Sequence, residues 1–173
     1  PEGITAINIT SDIDCGGAEI PSLSSFDGYV KGQNHYFKNG SLSKPLIEVN
    51  NGTVSGVCID KTVSTKGAGN VFAAIVGVNN GKVVECVNEA DILPKFSTSA
   101  PFIAGVVAKS TGTVESCVNK GKIGYLVSAA ASGTGSVAGV VALASGSEGQ
   151  LIVSGCENLG DVIVVAQAKP GYI

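Results

Sequence analysis

Residues 102–123, FIAGVVAKSTGTVESCVNKGKI, recur in altered form on both sides of themselves, and that recurrence decides the expected fold class. The upstream copy, residues 74–92, aligns with residues 105–123 without a gap at an offset of 31 residues. It pairs Gly81 with Gly112, Cys86 with Cys117, Asn88 with Asn119 and Ile92 with Ile123. Downstream, VAGVVA at 137–142 repeats 103–108. After an insertion of five residues, Cys156, Asn158, Gly160 and Val162 recover the spacing of Cys117, Asn119, Gly121 and Ile123. A fainter copy precedes these: Asn51-Gly52-Thr53-Val54 matches Asn80-Gly81-Lys82-Val83 at an offset of 29, which puts Val57 in the cysteine position and Val63 in the isoleucine position. A period of about thirty residues means stacked units, each too small to bury its own apolar side chains. The fold expected is all-β, a parallel β-solenoid of short repeats. Residues 1–45 form leader or capping strands, and 46–173 form one continuous domain of repeat rungs.

Parity within the best copy sets the direction of its side chains. Cys117, Asn119, Gly121 and Ile123 alternate with Val118, Lys120 and Lys122, so the lysines take the solvent and the cysteine faces inward. An inward asparagine requires a partner, either backbone at a corner or the equivalent asparagine one strand away, so Asn88, Asn119 and Asn158 are expected to form a ladder. Val83, Val114 and Val153 lie three residues before each cysteine, which breaks the alternation and calls for a corner near Glu115 and Ser116. Upstream, residues 26–42 read as short strands separated by tight turns at Gly28, Gly32 and Asn39-Gly40. Polar, glycine-rich stretches at 65–70, 93–101 and 124–136 interrupt the copies and map to loops.

Composition narrows the function classes. Apolar residues make up 44% but aromatics only 5%, with no Trp or Met, so the core must be built from Val, Ile, Leu, Ala and Cys. The 24 glycines suit many short turns. Basic residues are lysine only, and the formal net charge is −3. A chain without arginine's bidentate fork and with net negative charge is not expected to bind nucleic acid or an anionic membrane. No stretch approaches the roughly 18 apolar residues needed to insert into a bilayer. A chain that starts at Pro1 is expected to be a processed or excised product.

Ala104-Gly105-Val106-Val107-Ala108 and Ala138-Gly139-Val140-Val141-Ala142, each followed by a glycine turn and Cys-x-Asn-x-Gly-x-Ile/Val, resemble the GLUG-motif repeats of bacterial surface proteins. The first copy departs from the pattern, with Ala74 in place of the first glycine and Glu89-Ala90-Asp91 lacking the glycine after asparagine. The segments ITSDID at 9–14, FDGY at 26–29 and GQNHYF at 32–37 resemble the leader that precedes such repeats. The resemblance implies a parallel β-solenoid on secreted or surface-attached bacterial proteins, adhesin-like, with no shared active site.

Candidate chemistry is sparse. Five cysteines without a CxxC pair, three of them locked to the repeat, read as buried free thiols rather than disulfides or a metal site. A Ser-His-Asp or Cys-His mechanism would have to run through His35, the only histidine, which reads as a turn residue. Asp12 and Asp14 share a face but read as solvated or turn-capping carboxylates, because Ile13 and Cys15 look like the buried side. The rival class is a β-helical polysaccharide lyase or hydrolase, which needs an acidic cluster with a basic residue on one face. Lys82, Lys109, Lys120 and Lys122 do not recur at one repeat position. The reading is therefore a non-catalytic binding or spacer module, extracellular or on the cell surface, with no metal or cofactor. Its partners would be a host or neighbouring-cell protein, or a glycan. Specificity would sit on the insertions at 93–101, 124–136 and 143–149, expected on one side, with Phe96, Tyr125 and Leu126 as exposed apolar anchors.

Overall fold

The computed structural model describes residues 4–66, 70–93, 101–127, 135–147 and 150–166. Their regular elements are all strands, and all pairings between those strands are parallel. The gapless alignment of the copies is also the strand register. Val83 stands opposite Val114 and Val54, Asn88 opposite Asn119, and Val76 opposite Val107.

Each repeat places one strand in each of several sheets. Val71–Ala73, Phe102–Ala104 and Ser136–Ala138 form one. The next is Ile47–Asn50, Val76–Asn79, Val107–Ser110 and Val141–Ala144. A third joins Thr53–Ile59 to Lys82–Val84, Thr113–Glu115 and Ile152–Ser154. The same Thr53–Ile59 strand also leads Val87–Asn88, Val118–Asn119 and Glu157–Asn158. Ile123–Val127 pairs with Val162–Ala166.

The expected corner is present. Glu85 (φ 55°) and Ser116 (φ 52°) take the left-handed conformation between the valine and the cysteine of their repeats, and Gly56 and Gly155 do so at the equivalent positions. One such residue turns the chain so that Val83 and Cys86, or Val114 and Cys117, both point inward. The core is therefore a set of columns of like residues. Val54, Val83 and Val114 make one, Val57, Cys86 and Cys117 a second, Ile47, Val76 and Val107 a third, and all nine are completely buried. The five cysteines are free thiols, and burial pushes that of Cys86 well above its usual range.

Two polar ladders run through this core. Asn88 Nδ2 donates to Asn119 Oδ1 (2.8 Å) and to Ala90 O (2.9 Å). Asn119 Nδ2 donates to Asn158 Oδ1 (2.8 Å) and to Gly121 O (2.8 Å). Both expected kinds of partner are thus used at once. The second ladder was not legible beforehand: Asn50 Nδ2 donates to Asn79 Oδ1 (2.7 Å) and Asn79 Nδ2 to Ser110 Oγ (3.0 Å), all three residues being buried.

Most glycines serve close approach rather than positive φ. A Cβ on Gly112 would lie 2.2 Å from the Gly81 carbonyl oxygen, one on Gly81 2.1 Å from that of Gly52, and one on Gly52 2.0 Å from that of Gly28. Stacked turns leave no room for a methyl group there. Gly32 sits 2.2 Å, by the same measure, from the Gly56 carbonyl oxygen. This corrects the reading of 26–42 as short strands. Tyr29–Lys38 is one strand of ten residues, interrupted by a register shift between Lys31 and His35 where Gln33 and Asn34 adopt positive φ. It pairs with Thr53–Ile59, and Ala6–Asn8 and Ile13–Asp14 pair with it in turn, so the leader extends the third sheet.

Two stability outcomes follow. Gly112→Ala should destabilise clearly more than Gly155→Ala, because the first meets a backbone carbonyl while the second has space and loses only the left-handed preference, about 1–2 kcal/mol. Equal denaturation midpoints would contradict the stacked-turn packing. Asn119→Ala orphans the Asn88 amide and the Gly121 carbonyl and should cost on the order of 2–4 kcal/mol, whereas Lys61→Ala on the surface should stay within about 0.5 kcal/mol.

Candidate functional site

The variable segments leave and rejoin the sheets at defined places. After the insertions around 67–69, 94–100 and 128–134 the chain re-enters at Val71, Phe102 and Ser136, which are direct register partners. After each of the three, the chain therefore returns to the sheets at one corner. On the departing side Ile92 bridges Ile123, and a Cβ on Gly124 would lie 2.5 Å from Leu93 Cδ2. The insertion at 143–149 does not share that corner. Its first two residues, Leu143 and Ala144, belong to the strand Val141–Ala144, and the chain beyond them takes the place of the turn formed by Asn80-Gly81 and Thr111-Gly112 in earlier repeats. The expectation of one patch from all three later insertions is corrected accordingly.

The expected anchors fare differently. Phe96 lies outside the described residues. Tyr125 is only 6% exposed, because it shares the parity of Ile123 and stands opposite Val164 within Ile123–Val127, so it belongs to the core. Leu126 is in the same strand, opposite Val165, rather than in a loop. The apolar groups at the insertion corner are instead Leu93, 55% exposed, and Phe102, which is half-buried and packs with Val71 against the small cluster Ala73, Ala104 and Ala108. Lys109 Nζ stands 4.2 Å from the Phe102 ring centroid, a cation–π contact. Alternation with inward Ile103 was the signal that could have exposed Phe102 as an outward aromatic.

A second outward feature is a row of charges on the third sheet. Asp12 accepts from Lys38 Nζ (2.5 Å) and the Tyr36 backbone N–H (2.9 Å), and His35 Nδ1 lies 3.4 Å from its Oδ1. Lys38 above all, with the Tyr36 N–H, holds the Asp12 carboxyl down at about 2. A carboxylate held so low keeps no proton at neutral pH and is a weak base, so the group fastens the first strands to Tyr29–Lys38. Asp14 accepts from the Gly16 N–H (2.9 Å) and Asn39 Nδ2 (3.0 Å), the turn-capping role expected of it. Farther along, Tyr36 Oη donates to Glu89 Oε1 (3.3 Å), which also takes Lys120 Nζ (2.9 Å). Tyr36 thereby reaches across the strand carrying Cys58 and leaves that outward thiol 1% exposed. Lys82 pairs with Glu115 at 2.9 Å. Shallow open hollows flank these pairs, one lined by Asp91, Lys120, Lys122 and Asp161, the other by Lys82, Glu85 and Glu115.

In comparison with known proteins, the chain matches no family model, no curated protein and no solved structure. Among the described residues, no helix is long and apolar enough to cross a membrane.

The Asp12 group sets a pH signature. Its folded value lies below the usual carboxylate value, so its stabilising effect is present at neutral pH and disappears as pH falls from about 4 through about 2. Asp12→Asn should therefore melt below the parent at pH 7 and converge with it near pH 2. A constant difference across that window in thermal scans would sink the assignment.

Proposed function

We propose that the chain is a parallel β-solenoid of the GLUG-repeat type, acting as a non-catalytic binding or spacer module of a secreted or surface-attached bacterial protein. The in-register parallel stacking of like residues at offsets of 29 and 31 supports the solenoid reading. The observation that carries the functional reading is how the side chains are used. Inward positions are filled by packing columns and two hydrogen-bonded side-chain ladders. Six of the outward charges on the third sheet are taken up in three ion pairs, Lys38–Asp12, Lys82–Glu115 and Lys120–Glu89. Sequence freedom is left at the insertion corner, where three segments of dissimilar sequence return to paired positions beside Phe102, Lys109 and Leu93. Rigid strands with variable loops on one corner suit recognition of an extracellular partner. With so few aromatics to stack on sugar rings, a protein of the host or a neighbouring cell is favoured over a glycan.

The test uses a variant in which residues 128–134 are replaced by a short glycine-serine link, assayed beside the parent against purified extracellular-matrix proteins and a glycan array. Binding by the parent that weakens at least about tenfold in the variant supports the corner, a loss of about 1.4 kcal/mol. Equal binding by both dismisses it, and depolymerisation of a polysaccharide by the purified chain would establish the enzymatic alternative instead.

A further inference from the structure

We infer that Cys86, Cys117 and Cys156 form a redox-responsive column in which oxidation joins Cys117 by a disulfide to the cysteine of one adjacent layer, so that neighbouring layers are tied or released according to the oxidant around the chain. The three residues occupy one inward position in consecutive layers, because the residues on either side of them are register partners: Val84 with Glu115 and Glu115 with Ser154, Val87 with Val118 and Val118 with Glu157. All three are free thiols. Their sulfurs take the same place in each layer, 3.3, 3.3 and 3.4 Å from the carbonyl oxygen two residues back. Valine also fits this position, since Val57 fills it in the layer before and is completely buried. Three successive thiols therefore supply a chemistry that packing does not call for.

Layer spacing brings each thiol within reach of the next. Residues one strand apart lie about 4.8 Å apart along the stack, inside the Cα separation of about 4.4–6.8 Å that a disulfide spans. The side chains need lean together by only about 1 Å or less to bring their Cβ atoms to about 3.5–4.5 Å. Cys86 and Cys156 are two layers apart and out of reach of each other, so Cys117 is the required partner in either link. Cys58 points outward, opposite Tyr36 and Val87, and takes no part. The central thiol is also the one best prepared to react, for the Cys86 thiol above all, with that of Cys156 on the other side, holds it below its usual range. Hydrogen peroxide, an oxidant close to water in size, balances the reaction. The Cys117 thiolate attacks one peroxide oxygen, giving a sulfenic acid and hydroxide. The neighbouring thiol then attacks that sulfur, forming the S–S bond and releasing water, while the hydroxide takes up the proton Cys117 had lost. Two thiols and one peroxide thus give one disulfide and two waters. Because the sulfur of Cys117 is buried, the step proceeds through local opening of the layers.

The test exposes the reduced full chain to hydrogen peroxide and maps its tryptic peptides without reductant. Cleavage at the lysines, among them Lys82, Lys95, Lys109, Lys120 and Lys122, leaves Cys86, Cys117 and Cys156 on separate peptides, apart from those of Cys15 and Cys58. Titratable thiols should fall by two per chain. The cross-linked peptides should pair Cys117 with Cys86 or with Cys156 and separate again in dithiothreitol. The Val118 N–H, which donates to Cys86 O (2.9 Å), or the Glu157 N–H, which donates to Cys117 O (2.9 Å), should then exchange about tenfold more slowly or less readily still. Cys117→Val places in the column a residue it already holds at Val57, and should keep the fold while losing both the link and the slowed exchange. Should that variant not fold, the peptide map of the parent decides alone. An unchanged thiol count, sulfinic acid without a disulfide, or a disulfide that lacks Cys117 overturns the proposal.

Discussion

In-register parallel stacking puts every inward side chain against its own equivalent one strand away, roughly 4.8 Å along the stack. The rest of the structure depends on that constraint. An apolar residue is easily accommodated, since valine packs on valine and cysteine on cysteine. A polar residue survives only if its group can serve as both donor and acceptor to a copy of itself, because an unpaired buried amide costs more than the bond is worth when made. Asparagine meets the requirement with a carbonyl on one side and an amide on the other. Ser110, with one hydroxyl, ends its ladder by donating to Gly112 O at 3.2 Å while accepting from Asn79. A charged side chain has no such self-complement, and among the described residues the buried polar positions are Asn50, Asn79, Asn88, Asn119, Ser41 and Ser110.

The same constraint acts on the backbone. Turns stacked at strand spacing bring the carbonyl of one against the α-carbon of the next, and Gly28, Gly52, Gly81 and Gly112 record it. The left-handed corners obey a looser rule. There Gly56 and Gly155 flank Glu85 and Ser116, which bear the modest strain of positive φ while Ser116 N donates to Ser154 O (3.0 Å) and Glu85 N to Glu115 O (3.0 Å). Close approach admits only glycine, whereas conformation alone merely prefers it.

This difference explains what could be read from residues alone. The columns, the Asn88–Asn119–Asn158 ladder and the corner at Ser116 were legible because both their identities and their spacing repeat. The second ladder was hidden because Ser110 breaks the identity and Ala144 ends it. Tyr125 was misplaced because Gly124 reads as a loop starter, and only the pairing of Ile123–Val127 with Val162–Ala166 shows the strand continuing through it. What covers Cys58 was not legible either. It sits on the outward parity and is covered by Tyr36, whose reach to Glu89 depends on a partner 53 residues away. Phe102 could have been found, yet its contact with Lys109 needs the fold between the two strands.

Loop length and strand register respond differently to sequence change, and that asymmetry bears on function. Closing a longer loop costs only about 0.6 kcal/mol per doubling of its length, whereas a one-residue slip of a strand would turn every inward valine outward. The insertions at the Phe102 corner can therefore vary while Val71, Phe102 and Ser136 stay paired. Variation at Asn88 or Gly112 would instead propagate to the layers on both sides. The chain thus separates a part that must repeat from a part that need not, and the second part is held at one corner by the first.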